Sequence, residues 1–196
     1  MKKRRSLLSR LKSWASEGLE YLKESRRYIY LSAALFILFI VIGFCFADKL
    51  TILDSVIKEM RESVSGLDGK DLTRAIFLSN IRAAFFSLFL GILMGIFTIF
   101  NIALNGTLIG YVINALWIDS GFTHLWKLLP HGIFELLALF IAWGLGIRLG
   151  AFIFSKNPGK DLKKRLIGSI KAFTFIIIPL LFIAAIIEGL LIAFIA

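Results

Sequence analysis

The chain has 196 residues, of which 58% are hydrophobic and 18% are charged, with 23 Lys and Arg against 13 Asp and Glu. Soluble domains are about 45–50% apolar and about 25% charged, so this composition lies outside that class. The single cysteine excludes a disulfide scaffold, and the hydrophobicity excludes a disordered chain. A net charge of +10 is compatible with a nucleic-acid partner. Whether it indicates one depends on where the basic residues lie along the chain.

Long apolar runs predict membrane-spanning helices, because a bilayer core about 30 Å thick needs roughly 20 apolar residues in helical form. In chain order these runs are residues 28–47, 83–104, 106–118, 132–154 and 172–196. We therefore expect an all-α, polytopic membrane helix bundle with about five transmembrane helices. Because the run 106–118 has only 13 residues, we expect the third span to be short or broken, or a re-entrant hairpin.

The basic residues are unevenly distributed between the segments that join these runs. Nine basic and three acidic residues precede residue 28, six basic and one acidic lie in 155–171, and 48–82 has six of each. Basic segments stay cytoplasmic, so we expect a multi-pass cell-membrane protein with the N-terminus and the 155–171 loop inside. The 48–82 segment and the C-terminus are then extracytoplasmic. The excess charge becomes a positive-inside bias, and no nucleic-acid partner is expected.

Two amphipathic segments lie outside the apolar runs. Residues 1–27 are predicted to form a basic amphipathic cytoplasmic helix on the membrane surface, with anionic lipids as partners. Residues 28–196 are predicted to form a single membrane domain, its first span an uncleaved anchor. Within the 48–82 segment an apolar stripe recurs at helical spacing and needs a covering surface, either the membrane, the spans or a partner. The stripe consists of Leu53, Val56, Ile57, Met60, Val64 and Leu67.

A few polar residues interrupt the predicted spans, where such residues are costly and indicate function. Asn80 and Arg82 are placed at the outer end of span two, with His131, Glu135 and Glu188 in the outer parts of spans four and five. We expect a hydrogen-bond network in which Arg82 neutralises a carboxylate. His131 and Glu135, four residues apart on one helix face, are alternatively a weak candidate divalent metal site, and a proton or solute pathway is the third reading. No cofactor is otherwise expected.

Other glycines and charges have structural interpretations. Gly91 and Gly95, Gly106 and Gly110, and Gly146 and Gly150 are spaced as three helix-packing faces. Arg148, near the cytoplasmic end of its span, is expected to extend its side chain to the interface.

The central region resembles the stage II sporulation protein M family. The resemblance rests on Asn80, the pair Asn105-Gly106 with Gly110, and the run from Leu129 to Glu135, which contains Pro130, His131 and Gly132. It implies a multispan membrane organiser whose relatives in sporulating bacteria act with partners that degrade peptidoglycan outside the membrane. We therefore expect a non-enzymatic scaffold that recruits other membrane or extracytoplasmic proteins, with homo-oligomers possible. The alternatives are a transporter or channel using the outer polar cluster, and a membrane-embedded metal-dependent enzyme.

Overall fold

The computed structural model describes residues 7–64, 66–120 and 129–195, apart from the side chains of 61, 63–64, 119–120, 129–131 and 191–195. The described residues form eight α-helices and no strand. The helices are α1 (Leu7–Glu24), α2 (Arg26–Cys45), α3 (Ile52–Val64), α4 (Gly69–Phe89), α5 (Ile96–Ser120), α6 (Leu129–Gly150), α7 (Pro158–Ala172) and α8 (Ile178–Ile195).

Five helical segments are long and apolar enough to cross a membrane, which confirms the predicted all-α polytopic bundle. They are Arg26–Cys45, Gly69–Ile92, Ile96–Ile118, Gly132–Phe154 and Pro158–Leu190. The chain is a multi-pass membrane protein.

The second and third spans differ from the prediction. The apolar run 83–104 is not one helix, because the chain turns at Leu93–Gly95, where Met94 and Gly95 adopt left-handed backbone angles with φ of 59° and 73°. Two consecutive residues in the left-handed conformation end a right-handed helix. Counting the apolar residues in a run does not reveal such a turn. The third span therefore runs over 23 residues from Ile96 to Ile118, so the expectation that 106–118 is a short, broken or re-entrant span is wrong.

The two polar connecting segments are also more helical than expected. Helix α4 begins at Gly69, inside the predicted outer segment 48–82, where the Asp68 carboxylate accepts a hydrogen bond of 2.8 Å from the Asp71 amide. The predicted loop 155–171 is mostly helix α7, which continues through a π-helical turn at Phe173–Ile177 into α8. Pro179 follows that turn; a proline removes a backbone donor and crowds the preceding turn, which the wider π turn accommodates.

Long-range contacts sort the elements into two ends of the bundle. At the end that we call the basic end, α1 packs on α7, and the Leu93–Gly95 turn packs against Gly150 at the end of α6. At the opposite end, the Asn114 amide donates to the carbonyl of Phe44 at 3.1 Å. Helix α3 and the beginnings of α4 and α6 lie at this opposite end. The five spans therefore alternate in direction.

Helix α6 is the centre of the bundle. Nearly all of its residues from Ile141 to Gly150 are buried, as expected for a helix that is apolar on all sides. Glycines let other helices approach it closely: a Cβ at Gly146 would lie 2.6 Å from the Ser87 carbonyl oxygen of α4. The predicted packing face at Gly146 and Gly150 is present, whereas Gly95 belongs to the turn, so Gly91 and Gly95 do not share a helix face.

Candidate functional site

Helices α4, α6 and α8 bring one amide and two carboxyl groups together on the side of the bundle nearer the opposite end. Asn80 Nδ2 donates a hydrogen bond to Glu135 Oε1 at 2.5 Å. Glu188 lies close enough to Glu135 for their like charges to interact, and Glu188 is only 7% exposed. Its Oε2 atom is buried and has no hydrogen-bond partner among the described residues. We refer to Asn80, Glu135 and Glu188 as the carboxylate cluster.

Small side chains allow the three helices to meet at this cluster. Ala84 of α4, Ala138 and Ala142 of α6 and Ala184 of α8 are all essentially inaccessible to solvent. Since alanine carries nothing beyond Cβ, the helix backbones can approach closely at these positions. Glu188 is buried by this packing, whereas Glu135 is half-buried.

The structure changes the position predicted for Asn80 and the role predicted for Arg82. Because the second span begins at Gly69, both residues lie well inside α4 and not at its outer end. Arg82 is exposed and forms no ion pair with a described carboxylate, so the expected neutralisation of Glu135 or Glu188 does not occur. Asn80, an uncharged residue, makes the contact to Glu135 instead.

The remainder of the predicted site surrounds the start of α6. Pro130 and His131 lie in the first turn of this helix, but their side chains fall outside the described residues. The predicted metal site of His131 with Glu135 therefore also lies outside them. Among described side chains, no group of three His, Cys, Asp or Glu residues could hold a metal ion. A Cβ at Gly132 would meet no atom within 4 Å.

Asn105, Gly106 and Gly110, which carry part of the family resemblance, lie in the middle of α5, because the third span begins at Ile96 and not at residue 106. The two glycines face α2: a Cβ at Gly110 would lie 2.1 Å from the Ile40 carbonyl oxygen, and one at Gly106 would lie 2.8 Å from Cβ of Phe39. Their role in this fold is to permit close packing of α5 on α2.

Comparison with known proteins identifies the family. The chain matches the sequence model of Stage II sporulation protein M over residues 32–191, from the first span into the last. The chain belongs to the stage II sporulation protein M family. The comparison with curated proteins finds no match, and the comparison with solved structures finds none. The family match extends well beyond the central region in which the resemblance was recognised.

A second polar group in this family member lies deeper in the bundle and was missed by the sequence reasoning. The side-chain oxygen of Asn101 accepts hydrogen bonds from Ser87 Oγ and Trp143 Nε1, both at 2.9 Å. It also accepts one from Asn105 Nδ2 at 3.2 Å, and Thr98 Oγ1 donates to the Ser87 carbonyl at 2.6 Å. These bonds join α4, α5 and α6. The available signal was the recurrence of uncharged polar residues within apolar runs.

Arg148 forms the third polar site. Its side chain was expected to extend to the membrane interface, but it is hydrogen-bonded to the α1–α2 bend instead. Its guanidinium donates to the Tyr21 carbonyl at 3.0 Å, to Ser25 Oγ at 2.6 Å and to Glu24 Oε2 at 2.7 Å. It also stacks 4.0 Å from the centre of the Tyr21 ring. The hydrogen bond from Arg148 lowers the pKa of Glu24, whereas burial raises the pKa of Tyr21. This arginine fixes the bend between α1 and α2 onto the end of α6.

Proposed function

We propose that this chain is an integral membrane scaffold that recruits or organises partner proteins at the cell membrane. The observation that carries the proposal is a pair of amphipathic helices outside the apolar core, one at each end of the bundle. Helix α1 packs on α7, whereas α3 is linked to α5 by the hydrogen bond between Tyr111 and Asp54, and both helices leave large apolar side chains exposed. Exposed apolar surface outside a membrane span is typical of an interaction site.

Helix α3 is the partner-facing element in this proposal. Asp54 anchors it, because its carboxylate accepts a hydrogen bond of 2.6 Å from the Tyr111 hydroxyl of α5. Leu53 and Ile57 are half-buried, whereas Ile52 and Val56 are 74% and 38% exposed. Ile52 and Val56 are four residues apart, so they share one edge of the helix. We propose that this edge packs against an apolar surface of an extracytoplasmic or membrane partner protein.

Helix α1 supplies the contact with the membrane surface at the basic end. It packs on α7 through two glycines: a Cβ at Gly18 would lie 3.2 Å from the Lys171 carbonyl oxygen, and one at Gly168 would lie 2.5 Å from the Tyr21 ring. Leu8 and Trp14 are 70% and 51% exposed beside basic residues. Such a surface suits anionic headgroups, so we propose that the basic end is cytoplasmic. The edge of α3 is then extracytoplasmic, as the family resemblance implies for the partners.

A transport function has less support from the geometry. On the basic side of Glu135, helix α6 buries Ala138, Ala142, Leu145 and Leu149, all of them apolar. A solute reaching the carboxylate cluster from the opposite end therefore meets a packed apolar core. Flux into proteoliposomes that Glu135→Gln abolishes would favour transport over the scaffold.

Site-specific photocrosslinking in native membranes tests the scaffold. A photoreactive amino acid at Val56 should give a reproducible adduct with a second protein. The same probe at Ser55, which is exposed one position away on the polar face, should give little or none. Equal adducts at both positions, or none at either, would contradict the proposal. Adducts with lipid alone would place the edge of α3 on the membrane, and adducts with the chain itself would indicate a homo-oligomer.

A further inference from the structure

When both of its carboxyl groups are ionised, the carboxylate cluster would carry a negative charge that no described cation compensates. Neither Glu135 nor Glu188 forms an ion pair with any described cation, and Arg82 on the neighbouring helix is exposed. Two carboxylates inside a membrane bundle are costly unless a positive charge accompanies them. Buried charges in proteins are accordingly paired or coordinate metal ions.

Glu188 has the features of a ligand that lacks its partner. Only 7% of the surface of this residue is exposed, so it is more than nine-tenths buried. Its buried Oε2 atom has no hydrogen-bond partner among the described residues. Its carboxyl group interacts electrostatically with Glu135, which already accepts one hydrogen bond from Asn80. The other buried side-chain oxygens without a partner among the described residues are the hydroxyls of Tyr21, Ser155 and Ser169, so Glu188 is the one carboxyl group in this set. The Asn101 oxygen, by contrast, accepts hydrogen bonds from three donors.

The atoms of the cluster that can bind a cation are the carboxyl oxygens and the Asn80 side-chain oxygen, since the Asn80 amide nitrogen only donates hydrogen bonds. Carboxylate and amide oxygens suit hard divalent cations, and Mg²⁺ in particular binds through one or two carboxylates while it keeps several waters. Such a site does not need the three charged or imidazole ligands that the described residues lack. A doubly charged cation would also balance the two carboxylates.

A groove of about 760 Å³ lies between α4 and α8, and its walls include Lys70, Thr73, Arg74 and Gly189. None of the three cluster residues lines this groove, so the groove is separate from the site proposed below.

We propose that Glu135, Glu188 and the Asn80 side chain bind one hard divalent cation, such as Mg²⁺ or Ca²⁺, between α4, α6 and α8. The cation ties three spans together from the opposite end of the bundle. This site is independent of the scaffold surface on α3, and either proposal can fail without the other.

Thermal unfolding of the purified full chain in detergent tests the site with Mg²⁺ and Ca²⁺ as separate probes. After treatment with a chelator, a saturating cation should raise the melting temperature of the native protein by roughly 5 °C or more. Glu188→Gln and Glu135→Gln should each abolish that rise while still folding. Glu59→Gln on exposed α3 should leave it intact.

Equilibrium dialysis with either cation should also give one bound ion per chain, and none in Glu188→Gln. The absence of any cation-dependent shift in the native protein would overturn the proposal, as would a shift that persists in both glutamine variants. A shift lost equally in Glu59→Gln would show general surface binding and would also overturn it.

Discussion

The two ends of helix α6 differ in how completely their ionisable side chains are hydrogen-bonded. Near the basic end, Arg148 is 13% exposed along its side chain, and it makes three hydrogen bonds to the α1–α2 bend. Near the opposite end, Glu135 makes one hydrogen bond to an uncharged amide and faces Glu188, whose buried oxygen has no described partner. The guanidinium of Arg148 is therefore hydrogen-bonded within the chain, whereas one carboxyl oxygen of Glu188 has no described partner.

This difference separates a structural charge from a functional candidate. A buried group with complete hydrogen bonding stabilises the fold and needs nothing further. A buried group left unsatisfied costs free energy, so its retention indicates a role that the isolated chain does not fulfil. By this criterion Arg148 fixes helix α1 in place, whereas Glu188 is the residue at which to look for a ligand.

The largest expected effect comes from the packing contrast between the same two ends. A Cβ at Gly150 would lie 2.1 Å from the backbone nitrogen of Gly95, whereas one at Gly132 would meet nothing within 4 Å. We expect Gly150→Ala to lower the free energy of unfolding by about 3 kcal/mol, because backbone cannot move aside cheaply. Gly132→Ala should be neutral or slightly stabilising. Thermal melts of both variants in one detergent measure this; equal stability would show that α6 is not tightly packed at its basic end.

Removal of the guanidinium at Arg148 should have the next largest effect. Arg148→Met is expected to cost about 2 kcal/mol, because it removes charge-assisted hydrogen bonds to Ser25 and to the Tyr21 carbonyl. Arg148→Lys keeps the charge but cannot make the same set of bonds, so its melting temperature should lie between those of the native protein and the methionine variant. A methionine variant as stable as the native protein would contradict the structural role.

The opposite sign is expected at Glu188. In buffer without divalent cations, Glu188→Gln should raise the free energy of unfolding by about 1 kcal/mol, since it removes an unsatisfied buried charge beside Glu135. Glu59→Gln, on the exposed surface of α3, is the matched control and should change little. A clear loss of stability in Glu188→Gln would mean that an undescribed part of the chain satisfies this carboxylate.

Acid should weaken the basic end in a defined direction. The pKa of Glu24 is lowered in the folded protein by its hydrogen bond from Arg148, relative to an ordinary value of 4.5. The folded state therefore favours the ionised carboxylate, and this contribution is present above pH 4.5 and is lost as the pH falls below it. Because Glu24 is 46% exposed, the effect is small. Glu24→Gln should flatten the decline of melting temperature between about pH 5 and 3; an unchanged slope would exclude this origin.

The smallest effect is expected at Arg82. Because its side chain is exposed and pairs with no described carboxylate, Arg82→Ala should shift the free energy of unfolding by no more than about 0.5 kcal/mol. The sequence alone assigned this arginine to the neutralisation of a carboxylate, and in that role its removal would lower the free energy of unfolding substantially. A melting temperature of Arg82→Ala well below that of the native protein would support the assignment of Arg82 to the neutralisation of a carboxylate.

Several features of the candidate site were visible in the sequence. Asn80, Glu135 and Glu188 stood out because polar residues are rare in apolar runs. Asn80 and Glu135 are in contact, and Glu188 lies within electrostatic range of Glu135. Arg82 stood out for the same reason but does not join them, since helix rotation decides which residues face the core. The contacts of Asn101 with Ser87 and Trp143, and those of Arg148, could not be predicted, because these partners lie 14 to 127 residues away along the chain.

The sequence by itself determined that this is a helical membrane protein with five spans, because the length and hydropathy of apolar runs must match the bilayer. It also indicated the family, which the match over residues 32–191 shows. Only the tertiary structure decided where the second span ends, because the turn at Met94 and Gly95 interrupts an apolar run without a charge. It alone also decided which buried charges are satisfied, because hydrogen bonding depends on which helices pack together and on the faces that they present to one another.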